Sequence, residues 1–329
     1  MKTLAGRSSL EAPLLRLDDL SVTFAVGRRR LQAVRSVSLS IAKGEMYALV
    51  GESGCGKSSI AKTICGLHRP SAGSVSLLGI DVHAAQGEDA RTLRRNVQLL
   101  FQEALPSLNP RHTIRYLLWE PLKANGLSAR PDDAEQAMGD QLNAVGLPRR
   151  ALDKYPRDFS GGQQQRIALA RVLLLRPSLI CADEPVSALD VSVQAQIVRL
   201  LERSRREQGL TYLLISHDLP LVSQIADRVS VMYLGEIVES GPAADVVSRP
   251  LHPYTVALRS ATPVARSTQA RRPRIVLTGE PPSPLEPPPG CAFHRRCPIA
   301  RPKCSREQPP LTDRGGNRWV ACHFAGELE

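Results

Sequence analysis

The sequence predicts an α/β protein with a mostly parallel core sheet, followed by a small extension. Three observations carry this prediction. Short apolar segments alternate with helix-like segments between about residues 45 and 240, and a glycine-rich turn directly follows the apolar segment MYALV. In addition, 14 of the 26 prolines lie in residues 246–329. Proline removes backbone donors and breaks helices and central strands, so residues 246–329 are predicted to be an appendage to a domain at 13–245.

The elements of the predicted domain follow from their apolar periodicity. The first 45 residues alternate as strands do and place Val37, Leu39 and Ile41 on one face. MYALV is a buried strand that leads into a helix, and residues 69–82 form a turn and a hairpin. The remaining predictions are a strand at Val97–Phe101, helical structure from Thr113 to about Val145, a helix at Ser160–Leu175, the strand SLICA, a helix near Val191–Arg206, the strand TYLLIS, a helix from about Asp218 and the strands in RVSVMYLGEIVESG. Residues of about 105–175 are therefore predicted to be a helical insertion.

Composition excludes several classes. The chain has 329 residues, 42% of them hydrophobic, which is enough for a sizeable core. No apolar run approaches the roughly 20 residues that cross a bilayer, so we expect a cytoplasmic protein whose membrane role comes through a partner. The net charge is +11, of which +7 lies after residue 245. Aromatic residues make up only 4% of the chain, which argues against a base-stacking surface and favours a solvated or lipid-facing basic tail.

A phosphate-binding loop is predicted directly after MYALV. GESGCGKSS begins at Gly51 and matches the pattern G-x-x-x-x-G-K-S. Glycines allow backbone N–H groups to surround phosphates, and the following helix directs its positive end at them. Lys57 would reach the β- and γ-phosphates and Ser58 would bind Mg²⁺. A structural glycine turn is the alternative. The predicted ATP contacts in this loop are Gly51, Glu52, Ser53, Gly54, Cys55, Gly56, Lys57, Ser58 and Ser59.

Two further motifs fit the same chemistry. In SLICADEP an apolar strand ends at Asp183, placed to hold Mg²⁺ through water, and Glu184 follows, placed to polarise an attacking water. The alternative is a capped strand end. In FSGGQQQR, Ser160 and Gln163 form a capping-box pattern, and Gly161 and Gly162 leave the helix N-terminus open to a phosphate.

The order of the motifs resembles that of ATP-binding cassette (ABC) ATPases. It comprises the phosphate loop, Gln102 in LLFQE, FSGGQ, Asp183–Glu184, SALD at Ser187–Asp190, and His217 in LLISHD, over about 170 residues. The resemblance implies a P-loop NTPase-like ABC domain with a mostly parallel core sheet, an N-terminal antiparallel β subdomain and a helical subdomain.

The resemblance also assigns roles to residues. Two ATPase subunits would pair head to tail, with each ATP between the Lys57 loop of one subunit and Ser160, Gly161, Gly162 and Gln163 of the other. His217 would contact the γ-phosphate, and Gln102 would join Ser58 and Asp183 at Mg²⁺ and sense the nucleophile. Ser187 and Asp190 would form the D-loop. Phe24 resembles the aromatic that stacks on adenine, with a core aromatic as the alternative.

Longer stretches, including YLGEIVESG, HPYTVAL and GEPPSPLEPPPGCAFHRRCP, resemble the ATPase subunits of oligopeptide and dipeptide importers, a group that includes nickel importers. The resemblance implies a catalytic subunit bound peripherally at the cytoplasmic face of the inner membrane. Its partners would be a second ATPase (a copy or a paralogue), two permeases contacted near Leu105–Glu120, and an extracytoplasmic substrate-binding protein, with no nucleic acid. The chain departs at Glu103-Ala104, where Asp-Pro is usual, and at Cys55, often serine, which would make the site thiol-sensitive.

Other functions remain open at this point. The same role in a nickel or other small-solute importer is the first alternative. A soluble ABC ATPase acting on nucleic acid or the ribosome would fit the basic charge, but the chain has one cassette and no heptad run. A regulatory ATPase without a transport role is the last alternative, and HPYTVAL and the proline-rich tail argue against it.

Four of the seven cysteines lie at Cys291, Cys297, Cys304 and Cys322. Disulfides are disfavoured in a reducing cytosol, and burial as small hydrophobes is disfavoured by the scarcity of apolar neighbours. Metal binding is therefore favoured, although zinc sites usually use closer cysteine pairs. The resemblance implies a [4Fe–4S] cluster, with Zn²⁺ as the alternative and with His294 and His323 as bystanders. We expect the metal to hold the extension in shape, with redox sensing as the alternative.

Overall fold

The computed structural model describes residues 12–102, 107–187, 189–261, 277 and 279–328. The departure predicted at Glu103-Ala104 and the start of the predicted permease-facing segment lie outside the described residues. The strands are β1 (Leu15–Val26), β2 (Arg29–Ile41), β3 (Met46–Val50), β4 (Ala72–Leu77), β5 (Ile80–Asp81), β6 (Val97–Leu100), β7 (Leu179–Asp183), β8 (Thr211–Ser216), β9 (Arg228–Tyr233), β10 (Glu236–Pro242), β11 (Thr312–Asp313) and β12 (Trp319–Val320).

The helices predicted after the phosphate loop, between residues 113 and 145, and near residues 160, 191 and 218 are present, whereas those that begin at Gly87, Ala243, Pro253 and Pro302 were not predicted. The helices are α1 (Lys57–Ile64), α2 (Gly87–Asn96), α3 (Ile114–Ala124), α4 (Pro131–Ala144), α5 (Gly161–Leu173), α6 (Val191–Gln208), α7 (Leu219–Ile225), α8 (Ala243–Ser248), α9 (Pro253–Ala261) and α10 (Pro302–Arg306), with short 3-10 helices at Arg149–Asp153 and Pro156–Asp158. In the described part of the chain, no helix combines the length and apolar character needed to cross a bilayer.

The chain forms two compact units, one of residues 1–83 with 215–329 and the other of residues 84–214. The first unit contains an antiparallel sheet with the strand order β2-β1-β4-β5. Alternating residues of β1, among them Leu15, Leu17 and Val22, are at most 1% exposed. This alternation produces the predicted N-terminal antiparallel sheet, because successive side chains of a strand point to opposite faces.

The first unit also contains the strand that leads into the phosphate loop. Strand β3 pairs in parallel with β9, with Ala48 opposite Val229, and β10 returns antiparallel beside β9. All five residues of β3 are buried, as a strand covered on both faces requires. The loop at Gly51 therefore begins at the carboxyl end of a parallel strand, where α/β sheets place their ligands.

The described part of the C-terminal extension contains strands and buried side chains that its composition does not indicate. Strands β12 and β11 continue the sheet beyond β10, and Phe293 and Val320 are at most 1% exposed. The phenyl ring of Phe293 lies 5.2 Å from that of Tyr233 on β9. Of the four cysteines, Cys304 is buried and the other three are half-buried, so the expectation that the extension has little core to bury its cysteines fails for Cys304. The apolar residues of the extension pack on β9 and on one another, since Phe293 contacts both Tyr233 and Tyr254.

In the second unit, β6 pairs in parallel with β7, and β8 lies on the other side of β7. The helical structure predicted from Thr113 to about Val145 consists of two helices, α3 and α4. Gly126 has φ of 69°, and the N–H of Leu127 donates to the carbonyl of Leu122. These features end α3, because Gly126 adopts the left-handed backbone conformation that glycine reaches without a steric clash of a Cβ. The insertion predicted at about 105–175 corresponds to the helices from α3 to α5.

Candidate functional site

The phosphate loop connects β3 to α1 and approaches two backbone carbonyls closely. A Cβ on Gly51 would lie 2.2 Å from the carbonyl oxygen of Met232. A Cβ on Gly56, whose φ is 108°, would lie 2.1 Å from the carbonyl oxygen of Ala33. Both distances are shorter than a van der Waals contact, so these two glycines are required by the packing of the loop as well as by its turn.

Lys57, the first residue of α1, is 4% exposed. Its Nζ donates to the carbonyl oxygens of Gly51 at 2.7 Å and Glu52 at 2.9 Å. The ammonium group is thereby held inside the loop, while Ser58 and Ser59 lie in the first turn of the helix. A buried cation at a helix N-terminus inside a glycine-rich loop is suited to binding a phosphate group.

Cys55 is the one predicted contact in the loop with redox chemistry. The residue is 6% exposed, and its Sγ lies 3.6 Å from Nζ of Lys57. Burial raises the pKa of the Cys55 thiol, although Lys57 acts in the opposite direction. The thiol is therefore protonated near neutral pH. Since the thiolate is the reactive form, Cys55 is expected to react with thiol reagents more slowly than the sequence alone suggests.

Two contacts to the loop were not predicted. The backbone N–H of Glu52 donates to Oη of Tyr254 at 2.8 Å. The Glu52 carboxylate accepts two hydrogen bonds from the Arg296 guanidinium, at 2.8 and 3.1 Å. Tyr254 and Arg296 lie 202 and 244 residues further along the chain, and no local pattern in the sequence relates residues that far apart.

Two other predicted residues belong to the same unit. Phe24 is half-buried on β1, and its ring meets that of His68 edge to face at 5.1 Å. It is therefore not the fully buried core aromatic considered as the alternative. His217 follows β8 directly and is exposed.

In the second unit, three predicted residues lie together at the carboxyl end of β7. Nε2 of Gln102 donates to Oε2 of Glu184 at 3.4 Å and to Oγ of Ser187 at 3.2 Å. The Ser187 hydroxyl donates to the carbonyl oxygen of Glu184 at 3.1 Å. Glu184 has φ of 46°, a conformation that costs energy in residues other than glycine and is found at functional sites. Asp183, the last residue of β7, is 8% exposed.

The predicted signature segment begins α5. The backbone N–H of Ser160 donates to Oε1 of Gln163 at 3.0 Å, which is one half of the predicted capping box. Ser160, Gly161 and Gln163 are exposed, so the helix N-terminus is open to a ligand. A Cβ on Gly162 would lie 2.4 Å from Cγ1 of Val193 on α6, so this glycine also permits close packing of two helices. Asp190 lies immediately before α6 as its N-cap residue.

The four C-terminal cysteines line one small cavity, together with Phe293 and Phe324. The backbone N–H of Cys291 donates to the carbonyl oxygen of Cys304 at 2.8 Å. Burial, with a further contribution from the neighbouring cysteines, raises the pKa of Cys291 to about 12 and that of Cys297 to about 11. Among the described residues, no group of three or more His, Cys, Asp or Glu side chains has the arrangement of a metal site. The predicted [4Fe–4S] or zinc site is thus not supported by a preassembled set of ligands.

Comparisons with known proteins agree with the motifs. A model of the ABC transporter family matches residues 34–187, and one of the oligopeptide/dipeptide transporter C-terminal region matches residues 238–304. The chain is 45% identical to the putative oligopeptide transport ATP-binding protein YkfD of Bacillus subtilis (strain 168), over 96% of this chain and 97% of that protein. It is 44% identical to the dipeptide transport ATP-binding protein DppF of Escherichia coli (strain K12), over 98% and 97% of the two chains.

Solved structures match the cassette. The dimeric, post-hydrolysis structure of the ATP-binding cassette MJ0796 with ADP and Pi superposes with a TM-score of 0.63 at 28% identity, covering 70% of this chain and 98% of that one. This match confirms the predicted α/β ABC ATPase fold class. Because relatives of about 45% identity align with nearly its whole length, the chain belongs to the ABC transporter ATP-binding proteins that carry the oligopeptide/dipeptide transporter C-terminal region.

Proposed function

We propose that this chain hydrolyses ATP to power peptide import through a membrane ABC transporter, bound peripherally at the cytoplasmic face of the inner membrane. The observation that carries the proposal is the folded phosphate loop, with the Lys57 ammonium held between two loop carbonyls. This loop occurs in a chain whose relatives are named as oligopeptide and dipeptide transport ATP-binding proteins.

The chemistry follows from the residues of each unit. The phosphate loop and Lys57 bind the nucleotide phosphates. Ser58 in the first unit, and Gln102 and Asp183 in the second, are each suited to supply an oxygen ligand to Mg²⁺, directly or through water, when the ion is bound. Glu184 polarises the attacking water, and Gln102 holds its carboxylate. The first turn of α5, at Ser160–Gln163, is open. The positive N-terminal end of this helix would attract the phosphates of an ATP bound by a second ATPase subunit. Catalysis in such a site is positioning and electrostatic stabilisation of the transferred phosphoryl group.

The proposed partners are a second ATPase subunit, two permeases and an extracytoplasmic binding protein. The dimeric structure of the neighbour MJ0796 supports the ATPase pair. On α3, Tyr116 is 39% exposed and stacks on His112 with the ring centroids 4.2 Å apart. The exposed Tyr116 and the half-buried His112 lie within the predicted permease-facing segment, and aromatic side chains are enriched at protein interfaces.

The proposal is tested by capturing the native complex through a tag on this chain. We expect mass spectrometry to identify two permeases, and the reconstituted complex to hydrolyse ATP faster when peptide-loaded binding protein is added. Tyr116→Asp is expected to lose the permeases because it places a charge in the interface, whereas Leu127→Asp, at another exposed apolar residue, is expected to retain them. If nickel and not peptides stimulates ATP hydrolysis, the substrate is nickel rather than a peptide. If the tagged chain is captured with nucleic acid and without permeases, the proposed transport role is wrong.

We further propose that Cys291, Cys297, Cys304 and Cys322 hold a [4Fe–4S] cluster, with Zn²⁺ as the alternative. Their lining of one cavity supports this, and four thiolates are the usual ligand set of such clusters. The cluster would supply a covalent cross-link between distant parts of the extension. The raised thiol pKa values mean that the ligands lose protons as the metal binds.

Protein purified without oxygen is expected to be brown, with a visible absorption band that bleaches on reduction. Cys304→Ser should lose the band and the stoichiometric iron, because Cys304 is a buried member of the quartet. Cys65→Ser, at the end of α1 and outside the quartet, should keep both. A colourless protein that holds one zinc per chain would contradict the iron–sulfur assignment.

A further inference from the structure

Two side chains of the C-terminal extension, those of Tyr254 and Arg296, contact Glu52 of the phosphate loop. We propose that Arg296 is a positioning residue for this loop, and that the Cys291–Cys297 segment is thereby coupled to nucleotide affinity. The inference rests on the proposed role of the loop in binding ATP. It adds that the C-terminal extension, which lies outside the ATPase domain, affects the affinity of the loop for MgATP.

The contact between Arg296 and Glu52 has the geometry of a strong ion pair. Two guanidinium nitrogens donate separately to the two carboxylate oxygens, at 2.8 and 3.1 Å. The Arg296 side chain is 8% exposed and that of Glu52 is 27% exposed. Paired hydrogen bonds between a guanidinium and a carboxylate fix orientation as well as distance, and partial burial limits screening by water and salt.

Glu52 transmits this contact to the phosphate site. It follows Gly51, and its carbonyl oxygen accepts from Nζ of Lys57 at 2.9 Å. Its N–H donates to Oη of Tyr254 at 2.8 Å. Glu52 therefore contacts two parts of the extension, Arg296 through its carboxylate and Tyr254 of α9 through its amide, and it contacts Lys57 through its carbonyl.

The segment that carries Arg296 is anchored beside the loop. Phe293 is 1% exposed, and its ring lies 5.2 Å from that of Tyr233 and 5.4 Å from that of Tyr254. The segment begins and ends with Cys291 and Cys297, which line the four-cysteine cavity. A change that orders or loosens the cysteine cluster must therefore move, or release, the guanidinium that holds Glu52.

The sign of the effect follows from charge. Arg296 neutralises a carboxylate that lies inside a loop built to receive a polyanion. Without Arg296, that carboxylate repels the nucleotide phosphates and the loop loses one support. We expect MgATP affinity to fall on the order of tenfold, which corresponds to the interaction of unit charges at an intermediate effective dielectric constant.

The test compares Arg296→Gln, Arg296→Lys and the control Arg295→Gln, which changes a neighbouring exposed arginine. Calorimetric titration of the full chain with MgATP should give a Kd about tenfold higher for Arg296→Gln, with partial recovery in Arg296→Lys and a wild-type value for Arg295→Gln. Turnover at saturating ATP in the assembled complex should change less than affinity. The double variant Glu52→Gln/Arg296→Gln should bind more tightly than Arg296→Gln alone, because the unpaired carboxylate is removed.

A second measurement separates coupling from a general loss of structure. Hydrogen exchange in residues 291–297 should slow when MgATP binds to the wild-type chain, because linkage is reciprocal, and this response should be absent in Arg296→Gln. A wild-type Kd in Arg296→Gln, or no gain in the double variant, would overturn the proposal. If Lys57→Ala abolishes MgATP binding while Arg296→Gln does not weaken it, only the coupling fails. If Lys57→Ala also binds normally, the role of the phosphate loop itself fails.

Discussion

Glu184→Gln is expected to lower ATP turnover by the assembled complex about 10²- to 10⁴-fold, the usual contribution of a general base. MgATP affinity is expected to stay close to the wild-type value. The amide keeps the size of the carboxylate and can still accept from Gln102, whose Nε2 lies 3.4 Å from Oε2 of Glu184. It cannot polarise water as a carboxylate does, so the loss should fall on the chemical step and not on binding.

The measurement is steady-state phosphate release, paired with equilibrium titration of MgATP. The matched control is Glu207→Gln, an exposed glutamate on α6 that pairs with Arg203 at 2.9 Å. Surface ion pairs of this kind contribute little to the free energy of unfolding, so the control should fold normally and retain wild-type turnover. Retention of turnover in Glu184→Gln would show that another group activates the water.

Lys57→Ala is expected to weaken MgATP binding on the order of 10²-fold or more, because a preorganised charged contact to the phosphates is lost. The change also removes the donor shared by the carbonyls of Gly51 and Glu52, so the loop loses its internal support. Affinity and turnover should fall together, in contrast to Glu184→Gln.

Titration with a fluorescent ATP analogue measures this loss, and thermal melting without nucleotide checks that the variant folds. Lys43→Ala is the control, since Lys43 is exposed and lies before β3. Its affinity should match that of the wild-type chain. If Lys57→Ala binds MgATP with the wild-type affinity, the loop is not part of the nucleotide site.

The structure contains the local elements on which the sequence analysis places the candidate site. The phosphate loop, the capped start of α5 and the strand ending at Asp183 are each encoded within about ten residues, and local backbone chemistry determines them: glycine freedom, side-chain capping and the period of apolar residues. The order of these motifs identified the family, and family membership and fold class are confirmed.

The sequence was less informative about the extension. It predicted a cysteine cluster with few apolar neighbours, whereas Phe293 and Cys304 are buried. Phe293 packs on Tyr233 of β9 and on Tyr254 of α9, and Cys304 lines a cavity with other residues of the extension. Composition alone gives no information about these contacts. The four thiols share a cavity, as a metal site would require, but their arrangement alone does not identify a metal.

By itself, then, the sequence determined which residues form the glycine-rich loop between β3 and α1, because the conformation of that loop depends on neighbours in the chain. Only the tertiary structure decided what supports the loop from outside. Glu52 meets Arg296 across 244 residues and Tyr254 across 202, through contacts that exist only once the extension packs beside β9. Any glutamate and arginine in the chain are equally compatible by charge, and it is the fold that brings this one pair within hydrogen-bonding distance.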